Sequence, residues 1–389
     1  MKKSLKHYRL HRFLMRLMRI LASPVVKRVV GYQCVREKGP ETPSMIISNH
    51  NTDLDPALVG MGFTGHMYFV ASEHAFRKGI LSMFLKFVFD PIPINKLKAE
   101  ASTLREILHR SKAGASVCIF AEGNRSNNGL TGPIPFSMAR LVKMSGAALI
   151  TFRLEGGYLT TPRWGKVRRK GEIRGSVTGR YSALELKAMT SEQVLDVITE
   201  GTYENAFERQ RERPVRFLGE DLAENIEIVL YLCPRCKKIG TIHSHGNRFS
   251  CDCGLNGEYM ETGFLEGEEL PFSTIADWDQ WQSGELALMV SKAGDEPICA
   301  DDNQKLYKIL PASGNILVGE GSMLISRSEL RCAGRVFPLQ EITRLVIVDR
   351  MTLDFETRDG TPYEILSDTP RSALKYLEIY NRLTMSKEQ

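Results

Sequence analysis

The sequence predicts an α/β domain built on a mixed sheet with flanking helices, followed by a small cysteine-centred module and a β-rich region that ends in a helix. Three observations carry this expectation. Between Met45 and about Arg153, short apolar runs alternate with helical patterns, the order that gives a parallel or mixed sheet covered by helices. Four of the eight cysteines fall between Cys233 and Cys253. Beyond about residue 270, strand-length apolar runs are separated by Gly, Asp and Pro turns. At 389 residues the chain is too long for one ordinary domain. Its 42% hydrophobic and 25% charged content is that of a foldable globular protein.

Residues 1–30 read as a basic amphipathic helix. Lys2, Lys6, Arg9, Arg12, Arg16 and Arg19 form one stripe, and Leu10, Leu14, Leu17, Met18 and Leu21 form another. Helices of this kind lie in the interface of anionic membranes. The alternative is a surface helix packed on the protein's own core. No apolar run approaches the roughly 20 residues that span a bilayer. Arg16 and Arg19 also interrupt the apolar stretch that a signal peptide requires. The expectation is a cytoplasmic protein held peripherally on the inner face of the cell membrane, with its cysteines reduced or metal-bound rather than bridged.

Residues 31–215 carry the α/β pattern. Strands are expected at 45–48, 67–70, 92–94, 117–120 and 148–152, and helices at 56–61, 76–87, 97–112 and 136–144. The stretch Ser48-Asn49-His50-Asn51-Thr52-Asp53-Leu54-Asp55-Pro56 follows the first of these strands. Asp55 and Pro56 read as the cap and first position of the next helix. A His at the carboxyl end of a strand, with a carboxylate five positions on, can form a hydrogen-bonded pair. The carboxylate then fixes the tautomer and supports the imidazolium formed when the ring takes a proton.

A second stretch, Phe120-Ala121-Glu122-Gly123-Asn124-Arg125-Ser126, ends the strand at 117–120. Arg125 offers a planar fork suited to phosphate, Gly123 lets the backbone approach closely, and Glu122 is placed to orient Arg125 or accept from a substrate hydroxyl. Together the two stretches resemble the lysophosphatidic acid acyltransferase family, marked by N-H-x4-D and F-P-E-G-T-R-S. The resemblance covers roughly the first 215 residues and implies a glycerolipid acyltransferase-like α/β fold. It makes His50 and Asp55 catalytic, and Glu122, Gly123, Arg125 and Lys96 substrate-binding. Lys96 stands where the family's second block ends in Arg, a point charge in place of a fork; the alternative is that it only starts the next helix on a solvated face. Ala121 and Asn124 replace the usual Pro and Thr. The family's proline-rich last block is replaced by Ala148-Leu149-Ile150-Thr151-Phe152-Arg153, where Arg153 reads as half of a structural ion pair, with a further cation near the substrate as the alternative. The apolar stretch 80–89 is expected to be core, with part of it available to an acyl chain or to lipid.

Residues 182–213 look helical and highly charged, and Pro214 marks a boundary. In 225–262, Cys233-Pro234-Arg235-Cys236 and Cys251-Asp252-Cys253-Gly254 resemble a zinc ribbon, with tetrahedral thiolate coordination of a structural Zn2+. The second pair is C-x-C rather than C-x2-C, which leaves His243 or His245 as an alternative ligand. Lys237, Lys238 and Arg248, with no aromatic-basic pattern beyond Phe249, give a weak nucleic-acid signal, and a nucleic-acid-binding protein using this module is a competing reading that leaves the paired motifs unexplained. Residues 270–389 resemble, in pattern only, a pleckstrin-homology or related lipid-surface module; a structural or dimerising β domain is the alternative.

The expected reaction is transfer of an acyl group from acyl-CoA or acyl-carrier protein to the hydroxyl of lysophosphatidate, a lipid substrate met at the membrane surface. Another lysolipid or glycerol 3-phosphate as acceptor, or an inactive lipid-binding adaptor, are the alternatives. No G-x-S-x-G elbow, phosphate-binding loop of the G-x4-G-K-[ST] type or dinucleotide fingerprint is present.

Overall fold

The computed structural model describes residues 7–39, 43–72, 89–94, 101–310 and 314–385. The helix expected at 76–87, Lys96 and nearly all of the apolar stretch 80–89 lie outside the described residues. The chain divides into two compact units, Met1–Arg163 with Arg168–Gly219, and Trp164–Val167 with Glu220–Gln389.

The first unit is built on a seven-stranded sheet. In chain order its strands are β1 (Tyr32–Cys34), β2 (Ser44–Ser48), β3 (Met67–Ser72), β4 (Ile92–Ile94), β5 (Ser116–Phe120), β6 (Ala148–Glu155) and β7 (Ile173–Tyr181). In space the order is β1-β7-β6-β2-β5-β3-β4. All neighbours run parallel except β6 and β7. The central strands β2 and β5 are buried at every position, as strands covered on both faces are. Met45, Ile47, Val117, Ile119 and Leu149 supply one core, and Ile46, Cys118, Phe120, Ile150 and Phe152 the other. This is the mixed sheet the sequence predicts. Strands β1 and β7 were not expected from sequence. Tyr32–Cys34 is short, and Ile173–Tyr181 alternates apolar with Gly, Ser, Thr and Arg too weakly to show a period.

Helix α1 (Tyr8–Val30), with Pro24 inside it, and α2 (Asp55–Met61) pack on the second core through Met15, Val30, Leu58, Val59 and Met61. Helices α3 (Ala101–Lys112) and α4 (Phe136–Ser145) pack on the first core, followed by the single turn α5 (Gly157–Thr160). The charged stretch then resolves into α6 (Ala183–Ala188), α7 (Ser191–Thr202) and α8 (Ala206–Glu212). Ser182 with Glu185, and Thr190 with Gln193, form capping boxes that start the first two. The Asn205 side chain accepts from the Phe207 and Glu208 amides to start the third.

Helix α1 corrects the basic stripe. Arg19 turns inward rather than toward solvent, and its guanidinium donates to the carbonyls of Gly60 at 2.8 Å, Thr64 at 2.9 Å and Gly65. These carbonyls lie at and just beyond the C-terminal end of α2, where a cation is favoured. Burial holds the Arg19 pKa down to about 10. Leu10, Phe13, Leu17, Ile20, Leu21, Val25 and Val29 face outward and are exposed. No described helix is long and apolar enough to cross a membrane.

In the second unit, a four-stranded antiparallel sheet has the order β11-β10-β9-β8, made of β8 (Ile242–His245), β9 (Arg248–Cys251), β10 (Asn256–Tyr259) and β11 (Leu265–Glu266). Helix α9 (Ile275–Lys292) follows, capped by Thr274, inside the region the sequence reading expected to be strand-rich. Its apolar residues Trp278, Leu286 and Val290 are buried amid polar neighbours that blur the period. Seven antiparallel strands then run from β12 (Cys299–Leu310) through β13 (Gly314–Ile325), β14 (Glu329–Cys332), β15 (Arg335–Pro338), β16 (Ile342–Val348) and β17 (Thr352–Thr357) to β18 (Pro362–Ser367). The two runs expected around 315–325 are one strand, β13. The final helix α10 (Leu374–Met385) brings Tyr376, Ile379, Tyr380 and Leu383 into one core with Leu306, Met323, Leu345, Leu353 and Ile365 of these strands.

The role of Arg19 is open to test. Arg19→Met removes three charge-assisted hydrogen bonds and leaves their carbonyls without that donor, so it should lower unfolding free energy by about 2–3 kcal/mol. Urea denaturation of wild type and variant measures this directly.

Candidate active site

Sheet register brings the two sequence motifs together. Strands β2 and β5 are parallel neighbours with Ser48 opposite Phe120. The stretches that follow them, 72 residues apart between His50 and Glu122, therefore leave the sheet side by side at its carboxyl edge, the usual place for an α/β ligand crevice.

His50 Nδ1 lies 2.8 Å from Asp55 Oδ2. Asp55 is fully buried, whereas the His50 side chain keeps 22% of its surface exposed. The same carboxylate accepts from the backbone N–H of Asn51 at 2.6 Å and of Thr52 at 2.9 Å, and from Thr52 Oγ1 at 2.6 Å. Asp55 thus does not cap α2: its oxygens turn back onto the loop, and Leu54 precedes the helix without a side-chain cap. The ring of Phe120 stacks on that of His50 with centroids 4.5 Å apart, fixing the imidazole plane. One ring nitrogen is held by a carboxylate, and a general base needs the other one free to act.

Glu122 occupies a different place from the one the sequence suggested. Its Oε1 accepts from the His50 backbone N–H at 2.7 Å, and its Oε2 from the Gly132 N–H at 2.7 Å. Both oxygens are engaged by the chain, so Glu122 ties the second motif to the first rather than orienting Arg125. Burial pushes its carboxyl up to about 7, with the Gly132 and His50 donors pulling downward and the Asp55 charge adding to the rise. The Ser126 N–H completes the join by donating to the His50 carbonyl at 2.8 Å.

Arg125 Nη1 donates to Asp53 Oδ2 at 2.9 Å. The Asp53 side chain is 83% exposed and that of Arg125 only 10%, so the pair holds the fork beside the histidine loop with its carboxylate partner in solvent. Gly123 adopts φ +71°, and a Cβ there would meet nothing within 4 Å. The requirement for glycine is therefore conformational. Lys96 lies outside the described residues. Arg153 forms the expected ion pair, its Nε 3.2 Å from Glu155 Oε1.

Sequence reasoning missed a second buried acid. Glu204, between α7 and α8, accepts from Asn51 Nδ2 at 2.5 Å, Asn49 Nδ2 at 3.3 Å and the Gly156 N–H at 2.7 Å. Burial pushes its carboxyl up to about 8. Asn49 also pairs with Leu154, receiving from its N–H and donating to its carbonyl, both at 2.8 Å. The asparagine contacts join residues more than 100 positions apart, and a lone Glu in a charged helical stretch gives no signal of them. Asp53 was visible in the first motif but had no partner until the sheet register supplied Arg125.

In the second unit, Cys233, Cys236, Cys251 and Cys253 gather with all four sulfurs within 4.8 Å of one another. Cys233 and Cys253 are 3.7 Å apart, as are Cys236 and Cys251. Tetrahedral Zn–S bonds of about 2.3 Å place sulfurs about 3.8 Å apart, so the group fits a metal ion. The histidine alternative is corrected: His243 Nε2 sits 3.1 Å from Asp252 Oδ1 in solvent, and neither His243 nor His245 joins the cluster.

Glu122 and Glu204 predict an unusual pH response. A carboxyl raised above its ordinary value of 4.5 contributes stability that is complete below that value and is lost as pH rises through the folded-state pKa. Unfolding free energy should therefore fall between about pH 5 and 8. Glu122→Gln should flatten the slope, as read from denaturation curves across that range.

Residues 28–155 match the family model described as Acyltransferase. No curated protein matches the chain. Among solved structures, the crystal structure of the 1-acyl-sn-glycerophosphate (LPA) acyltransferase PlsC from Thermotoga maritima is similar at 15% identity and a TM-score of 0.41. The match covers 50% of this chain and 80% of that one.

Proposed function

We propose, taking residues 28–155 as an acyltransferase-family domain of the lysophosphatidic acid acyltransferase-like kind, that the protein moves a fatty acyl group from a thioester to the hydroxyl of a lysophosphatidate-like acceptor. The observation that carries this reading is the His50–Asp55 pair, with its carboxylate buried and its ring partly open. The Nδ1–H of His50 donates to Asp55, which leaves Nε2 as the base. Nε2 takes the acceptor's hydroxyl proton as the oxygen attacks the thioester carbonyl. The C–S bond breaks, and the imidazolium returns the proton to the departing thiolate. Asp55 stabilises the imidazolium between these steps. The oxygen attacks directly, so no acyl group passes through the protein.

Arg125 meets the acceptor's phosphate with its fork, and Glu122 acts by placing the His50 backbone rather than by touching substrate. The donor thiol belongs to coenzyme A or to acyl-carrier protein. Peripheral membrane association is supported by the outward apolar residues of α1, Phe13 being 62% exposed, with Arg9, Arg12 and Arg16 on the same helix. In the second unit the four cysteines would hold a structural Zn2+, since four protein ligands complete its coordination. The β-rich region then serves to position the enzyme at the membrane.

Two measurements follow. With labelled acyl-CoA or acyl-carrier protein and a panel of lysophosphatidate, glycerol 3-phosphate and an amino-acid lysolipid, wild type should acylate one acceptor. His50→Ala should reduce that rate by about 10²–10⁴-fold; near-normal turnover by the folded variant would refute the assignment. Elemental analysis should find one zinc per chain, and Cys236→Ser should lose the metal and lower the melting temperature.

A further inference from the structure

We propose that Glu204 is a positioning residue of this site, holding the His50 loop in register through Asn49 and Asn51. The inference rests on the functional reading above and extends the working unit past residue 155, where the family match ends. Glu204 is 1% exposed, and each of its oxygens serves a different segment. Oε1 receives the N–H of Gly156, just beyond β6, at 2.7 Å. Oε2 receives the side-chain amides of Asn51 at 2.5 Å and Asn49 at 3.3 Å. Its own backbone pairs with Thr131 in both directions: the Thr131 N–H donates to the Glu204 carbonyl at 3.0 Å, and the Glu204 N–H to Thr131 Oγ1 at 2.9 Å.

The asparagines that meet Glu204 flank His50 on both sides. Asn51 extends the connection, because its backbone N–H donates to Asp55 Oδ2, the oxygen that also faces His50 Nδ1. A shift of Asn51 therefore moves the carboxylate that orients the base. Glu122 holds the His50 backbone from the neighbouring strand, and Glu204 holds the flanking side chains from the segment between α7 and α8. Two acids, Glu204 buried and Glu122 partly buried, thus grip one loop from two elements. The arrangement requires acceptors on both oxygens. Glutamine has the same shape but turns one acceptor into a donor, which would face the Asn51 or Gly156 N–H.

The test uses the full-length protein labelled with ¹⁵N-histidine, with the His50 ring signals identified by their loss in His50→Ala. In Glu204→Gln the His50 ring-nitrogen signals should shift. kcat should fall by about 10–100-fold with KM within about twofold, the pattern of a displaced catalytic group rather than lost binding. A purely structural role would lower the melting temperature yet leave the folded enzyme's kcat and its His50 signals as in wild type, and that result overturns the proposal. Asn51→Ala removes the same hydrogen bond from the other side and replaces Glu204→Gln should that variant not fold. It should move the same signals, and unmoved signals again overturn the proposal. If wild type transfers no acyl group to any acceptor, the functional reading fails, while the ring signals still decide whether Glu204 positions His50.

Discussion

The carboxylate of Asp55 is the constraint on which the rest of the site depends. A buried carboxylate without partners is untenable, and here it is met by two backbone N–H groups, a hydroxyl and the imidazole of His50. Each hydrogen bond to a charged group contributes about 1.5–3 kcal/mol, so the loop from His50 to Thr52 has little freedom to adopt another shape. Satisfying the charge and aiming the ring are the same event. A stable fold at this point therefore also fixes one nitrogen of the histidine and leaves the other unclaimed by that carboxylate.

Around that centre the sheet supplies register and two further acids supply grip. Parallel pairing of β2 with β5 and β6 sets Ser48 level with both Phe120 and Phe152, so β2 and β5 end together beside β6, which runs on to Glu155. Glu122 reaches in from beyond β5, and Glu204 binds the Gly156 amide just beyond β6. Both acids lie in surroundings that disfavour their charge, so the site is assembled from groups whose burial weakens the fold as pH rises. Helix α1 docks on the same unit through Arg19, whose cation sits where the carbonyls of α2 and the turn after it converge.

Much of this was legible in the sequence where the physics is local. The helix at 136–144 emerges as Phe136–Ser145, and the strand at 45–48 as Ser44–Ser48, because continuous apolar runs and helical periodicity are read within a few residues. His50 and Asp55 were legible for the same reason, being five positions apart. What depends on sheet register was not. Glu122 looked like a substrate contact because nothing local shows that Gly132 and His50 claim both its oxygens. Arg19 looked like one more basic surface residue, since its three acceptors lie more than 40 positions away. Glu204 was hidden by a charged helical context that ordinarily means solvent. The cysteine cluster was legible from spacing alone, but the exclusion of His243 needed the geometry of its strand.

The central claim is that His50 activates the acceptor's hydroxyl for direct attack, with no acyl group carried on the protein. Intact-mass spectrometry after incubation with acyl thioester, with and without acceptor, tests it most directly. The expected result is an unmodified chain in both conditions, with acylated product and free thiol released only when acceptor is present and His50 intact. An acyl adduct that forms on the chain without acceptor and disappears when acceptor is added would contradict it.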